Sequence, residues 1–138
     1  MAVRFYVDAD CLGLAKILAD LRDDVTYPGD PGGMIRKRSR PRCVITTPDT
    51  ADSVWIPRVA ALGWGIITRD RAIQRKPAEL AAVHTHGAKM FAITTTEKLS
   101  TWHLLEIVTI NWRRMEALLD DPGPFIYAIT RTGARKVL

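Results

Sequence analysis

The sequence predicts an α/β domain, a three-layer α/β/α sandwich around a mainly parallel sheet. Three observations predict it. Short apolar runs (RFYV at 4–7, GIIT at 65–68, KMFAIT at 89–94 and FIYAIT at 125–130) alternate with segments of helical periodicity, an order that puts helices on both faces of a parallel sheet. Two of the runs drive straight into acids, Asp8 and Asp10 after the first and Asp70 after the second. The 138 residues are enough for one domain, 1–138, with a real core, and no linker or internal repeat divides them.

Each element follows in order. RFYV is short, apolar and bounded by acids, so it reads as the first strand. LGLAKILADLRDD carries Leu14, Ile17, Leu18 and Leu21 at helical spacing, with Asp10 placed to cap it. VTY reads as a short second strand ending in the turn signal PGDPGG. Residues 28–48 are dense in proline and glycine, and only CVIT there has strand character. A loop of that length in a compact domain has a functional or mobile role. TPDTADSVWIPRVAALGWG reads as a helix with Asp49 or Asp52 near its start and Gly63 near its end. Pro57 suits the first turn of that helix, which puts the start between Ser53 and Ile56. AELAAVHTHG is a short helix closed by Gly87. LSTWHLLEIVTINWRRMEALLDD is the longest, with Leu104, Val108, Met115 and Leu119 as its inner stripe and Pro122-Gly123 as its stop.

Composition narrows the class. An apolar fraction of 47% and a charged fraction of 25% are ordinary for a globular domain. No window approaches the roughly 18 apolar residues of a membrane helix. The N-terminal segment lacks the basic-then-apolar layout of a secretory signal, and Cys11 and Cys43 read as two free, partly buried thiols. The expectation is a cytoplasmic protein that does not engage a membrane. The net charge of +5 is uneven: RKRSRPR (36–42) holds five positive charges in seven positions, and Arg69, Arg71, Arg75 and Lys76 follow the GIIT run. Such clusters mark phosphate-bearing partners or solvated faces.

The acids carry the chemistry. In open α/β sheets, ligands bind beyond the carboxyl ends of the strands. If the strands ending at Asp8 and Asp70 are neighbours, Asp8, Asp10, Asp70 and either Asp52 or Asp49 converge on one edge. Two carboxylates about 4 Å apart repel by roughly 4 kcal/mol at an effective dielectric near 20, unless a cation lies between them. A hard divalent cation, Mg²⁺ or Mn²⁺, suits an all-oxygen donor set. It supplies a hydroxide and stabilises the charge of a phosphodiester under attack. Arg69, Arg71 and Lys76 are the candidate phosphate contacts. The bland reading of any one strand-ending acid is a turn residue or a helix cap.

VDADCLGLAKIL, TADSVW and GIITRDRAIQRKPAEL together resemble the PIN-like nucleases, in particular VapC-type ribonuclease toxins, with a strand-ending D-x-D, a D-x-x-W and a T-R-D-R segment. The resemblance runs from about residue 3 to residue 95. It implies an endoribonuclease on a parallel sheet between helices, often a dimer and often paired with a cognate antitoxin. It implies Asp8, Asp52 and Asp70 as the principal metal-binding and catalytic acids, with Asp10 auxiliary. The sequence departs from the larger PIN toxins in lacking a clear further acid after the third motif and the usual Glu in the middle one, and residues 28–43 have no counterpart in the pattern.

Two other readings stand beside this one. A non-catalytic RNA- or partner-binding module would keep the fold and its basic surface. The D-x-D is also similar to that of haloacid-dehalogenase-type phosphohydrolases, although Leu12 stands where those have Thr or Val, and their later acid pair would fall on Asp120-Asp121. Elsewhere structural readings prevail. His84 and His86 suit a helix C-terminus better than zinc ligation. Trp55, Trp64, Trp102 and Trp112 read as core or interface residues rather than base-stacking platforms. Arg113-Arg114 reads as a solvated face, and Arg131, Arg135 and Lys136 as a frayed tail.

Overall fold

The computed structural model describes residues 2–69, 77–95 and 98–138. Its order is β1 (Phe5–Val7), a 3-10 turn (Ala9–Cys11), α1 (Leu12–Leu21), β2 (Val25–Thr26), β3 (Gly33–Ile35), β4 (Arg38–Arg40), α2 (Asp52–Ala61), β5 (Gly65–Thr68), α3 (Pro77–His86), β6 (Lys89–Ile93), α4 (Thr101–Ile110), α5 (Trp112–Leu118), β7 (Phe125–Thr130) and β8 (Gly133–Lys136). Six strands form one sheet in the order β2-β1-β5-β6-β7-β8, parallel through β7 and antiparallel at β8. The expected α/β/α architecture is present.

Strand alternation builds the two cores. Phe5, Val7, Ile67, Phe91, Ile93, Phe125 and Ile129 face α1, α4 and α5, meeting Leu14, Leu18, Leu104, Ile107, Val108 and Met115. Tyr6, Ile66, Met90, Ala92 and Ile126 face α2 and α3, meeting Trp55, Ile56, Val59 and Val83. Gly65, opposite Phe5 in the β1–β5 register, lets these layers close. A Cβ there would stand 2.7 Å from Leu119 Cδ2 and 3.1–3.2 Å from the Phe91 and Phe5 rings.

Five expectations are corrected. CVIT forms no strand; Cys43 and Ile45 are buried in the α2-side core, with backbone bonds to Asp30 and Gly29. The basic stretch is not an open loop, because β3 and β4 pair as a hairpin turning at Arg36-Lys37, both at positive φ. Arg40, buried, is gripped by Asp30 at 2.7 and 3.1 Å and donates to the Ala19 carbonyl at 2.8 Å, so it faces inward rather than to a ligand. The longest helix is broken at Asn111, whose side-chain amide donates to the Ile107 and Thr130 carbonyls. Residues 133–136 are an ordered edge strand, not a frayed tail.

Local capping differs as well. Asp8, not Asp10, caps the first turn, accepting from the Ala9 amide. Pro57 lies inside α2, which starts at Asp52; the carbonyl left without its N–H belongs to Ser53, on the exposed side. Trp55 and Trp112 are core residues, and Trp64 packs on the α2-side core. Trp102 is not in the core: it is 70% exposed. His84 and His86 are exposed in the last turn of α3, as a helix-end role requires.

Candidate active site

The chain runs outward from β1 through α1 to β2, then crosses back through α2 to β5 on the other side of β1. That reversal opens a crevice at the carboxyl ends of β1 and β5, the position where doubly wound sheets bind ligands. An open cleft of about 260 Å³ lies there, lined by Asp8, Ala9, Asp10, Pro48, Thr50, Asp52, Trp55, Thr68 and Glu79.

Each wall has its local cause. Asp8 is still extended (φ −64°, ψ 155°) when the strand ends, and its amide donates to the Ile67 carbonyl at 2.9 Å, locking the end of β1 to β5. The 3-10 turn then carries Asp10 back over the edge. Thr68, buried at the last position of β5, sets its Oγ1 3.0 Å from Asp8 Oδ2 and 3.0 Å from Asp10 Oδ2. One hydroxyl proton faces two carboxylates, whose oxygens are therefore no more than about 6 Å apart. The Arg69 amide also donates to Asp10, at 3.2 Å to Oδ2. Asp52 stands in the first turn of α2, where helix-end N–H groups favour an acid. Trp55 Nε1 donates to its Oδ1 at 2.9 Å, and the same indole stacks on Tyr6 of β1 with centroids 5.0 Å apart.

The electrostatics are those of clustered like charge. Burial first, and the charge of Asp10 second, push the Asp8 carboxyl up to about 6; Asp52 adds to the rise, while the bonds from Thr68 and Ala9 oppose it. Burial likewise pushes the Cys11 thiol well up, helped by Asp10. Tyr6 is raised by burial and then by Asp8, Cys43 and Asp52. A hard cation would relieve this repulsion, and the donors are oxygens throughout, so the residue chemistry fits Mg²⁺ or Mn²⁺. Among the described residues, however, no three His, Cys, Asp or Glu side chains are close enough together to form a ready-made metal cage.

The expected residues divide as follows. Asp8, Asp10 and Asp52 share the cleft; exposed Asp49 does not line it. Arg69 turns its guanidinium toward the Leu99 carbonyl, at 3.3 Å, and meets the site through its backbone. Asp70, Arg71 and Lys76 lie outside the described residues. Glu79 was not anticipated: it is 7% exposed, sits in the first turn of α3 and lines the cleft. The signal for it is present in KPAEL, where Pro77 opens a helix after the second acid-ended strand and an acid follows in the first turn. Asp120 and Asp121 follow α5, and Asp120 pairs with Arg4 at 3.8 Å, at the amino end of β1. They are on the opposite edge of the sheet from Asp8, which removes the acid pair that a dehalogenase-type site needs.

Fold and cleft together define an α/β domain with a carboxylate-lined crevice at the carboxyl edge of a parallel sheet. A family model described as a PIN like domain matches residues 4–95, about two thirds of the chain. The chain belongs to the PIN-like domain family, whose members are typically nucleases. No curated protein and no solved structure matches it. Elements α4, α5, β7 and β8 lie beyond the matched segment. No helix among the described residues is long and apolar enough to cross a membrane.

Proposed function

We propose that this chain is a metal-dependent endoribonuclease, the toxin of a VapBC-type toxin–antitoxin pair. The single observation that supports the reading best is the convergence of Asp8, Asp10 and Asp52 on one cleft at the switch point of a PIN-like sheet. Asp8, Asp52 and Asp70 hold Mg²⁺ or Mn²⁺, and Asp10 supports them. The ion supplies an activated water and charge neutralisation at the scissile phosphodiester. Thr68 spaces Asp8 and Asp10, Trp55 orients Asp52, and Arg69, Arg71 and Lys76 steady the RNA backbone. Resemblance to the VapC group is what supports a cytoplasmic setting, a cognate antitoxin and a homodimer.

A second reading has one observation in its favour. The described acids form no ready-made three-ligand cage, as in a non-catalytic module that binds RNA or a partner through the same fold. Cleavage of RNA by the purified protein decides between them, run with Mg²⁺, with Mn²⁺ and with EDTA, alongside Asp8→Asn and Asp70→Asn. The nuclease reading expects metal-dependent cutting that both substitutions abolish. No cutting under any condition, with salt-sensitive RNA binding equal in wild type and both variants, establishes the binding module instead.

A further inference from the structure

Trp102 is the most exposed large apolar side chain among the described residues, at 70%, ahead of Met34 at 67%. Among those residues it makes no ring contact, whereas Trp112 lies 4.6 Å from the Phe5 ring and Trp55 stacks on Tyr6. An indole left in water at the start of a well-packed helix has no role in the core, so its position matters. Ser100 caps α4, its Oγ accepting from the His103 amide. Thr101 seats the first turn against α1: a Cβ at Gly13 would stand 2.9 Å from Thr101 Oγ1. Gly13 is three residues past Asp10. From the other side, Arg69 joins the two features, its amide donating to Asp10 and its guanidinium to the Leu99 carbonyl. Trp102 is thus three residues, at most about 11 Å of chain, from a carbonyl tied to the residue that holds Asp10.

A cleft walled by Asp8, Asp10, Asp52 and Glu79 repels a polyanion. Affinity for a nucleic-acid strand must come from the ion and from contacts that do not depend on charge. An indole at the lip supplies one, because every base has a face on which aromatic rings stack, whatever the sequence. Only an unpaired base can be splayed onto it.

We infer that Trp102 is a base-stacking platform for a nucleotide flanking the scissile phosphate, so that the substrate is single-stranded RNA. This rests on the nuclease reading of the cleft. It also corrects the structural role that the sequence suggests for this tryptophan.

The test is binding of a fluorescein-labelled single-stranded RNA 12-mer, and of the same sequence as a duplex, in Ca²⁺ to hold cleavage off. Trp102→Ala and Trp102→Phe are compared with wild type, with circular dichroism and sedimentation velocity on each. The expected result is preference for the single strand, a loss of about 5- to 100-fold in Trp102→Ala, and retention of most affinity in Trp102→Phe. Wild type that binds the single strand while Trp102→Ala binds it equally overturns the platform and leaves the nuclease reading standing. If Trp102→Ala also changes the sedimentation coefficient, the indole belongs to a protein interface, and the inference fails. Wild type that neither binds nor cuts RNA fails the nuclease reading itself, and the platform with it.

Discussion

Trp55 Nε1 donates a 2.9 Å hydrogen bond to Asp52 Oδ1, one helical turn away, while the face of the same indole stacks on Tyr6 of the neighbouring strand. The D-x-x-W spacing therefore serves as a bracket. The ring is fixed by the core, and it fixes one oxygen of an acid that is itself exposed. The free oxygen is left to face the cleft.

Trp55→Phe keeps an aromatic ring against Tyr6 and removes the donor. Loss of a group that orients a metal ligand costs 10- to 100-fold in metal affinity or activity in comparable sites, and the same loss is expected here in metal-dependent RNA cleavage. Stability should fall by only about 1 kcal/mol. Cleavage kinetics over a Mn²⁺ titration, with urea unfolding in parallel, separate the two. Unchanged cleavage would mean that Asp52 needs no orientation.

Asp8 makes stability depend on pH with a defined sign. Its folded-state value of about 6 exceeds the roughly 3.9 of an unfolded chain, so the folded state holds the proton more tightly. Stability from this group is complete below about pH 4 and is lost as pH rises to about 6. Ionised at pH 7, it costs at most about 3 kcal/mol, reduced to about 1–2 because water reaches part of the carboxyl. Asp8→Asn should therefore make the metal-free protein more stable at pH 7 by about 1–2 kcal/mol, with little change at pH 4, while abolishing cleavage. Urea unfolding at both pH values checks this. A destabilised Asp8→Asn protein at pH 7 would show that the ionised carboxylate is well satisfied without a cation.

What could be read from the sequence follows the range of the interactions involved. Asp8 and Asp10 were legible because the strand period and the acid that ends it are local, and the β1–β5 pairing follows from the order of elements. The hairpin was not: its turn residues, Arg36 and Lys37, lack the Gly or Asn that marks a positive-φ turn, and a pairing held by Arg40 to Asp30 is a tertiary fact. The break at Asn111 depends on the Thr130 carbonyl, which sequence does not place beside it. Trp102 was within reach. The buried positions of α4 are 104, 107 and 108, and 102 is offset from that stripe by about 100° or more.

The basic run splits into structural and solvated members. Arg40→Met leaves Asp30 buried and uncompensated although Thr26 and the Gly32 amide still bond it, and a loss of about 3–5 kcal/mol is expected. Arg36→Ser and Lys37→Ser change exposed side chains and should stay within about 0.5 kcal/mol of wild type. Thermal unfolding of the three variants tests the division. Equal, small losses in all three would return Arg40 to the surface set.

Thr68 makes the most specific prediction. Its hydroxyl lies 3.0 Å from both Asp8 and Asp10, and its bond is one of two that pull the Asp8 carboxyl down against burial and like charge. Thr68→Val keeps the shape of a buried side chain and removes that pull. The Asp8 carboxyl should then titrate above its value of about 6. A metal ligand must lose its proton first, so affinity rises with pH until the ligand is ionised. The acid limb of the pH–rate profile should accordingly move to higher pH in Thr68→Val, with activity recovering at pH 8 and above. A uniform loss at every pH would instead mean that Thr68 sets the spacing of the two acids and leaves their ionisation alone.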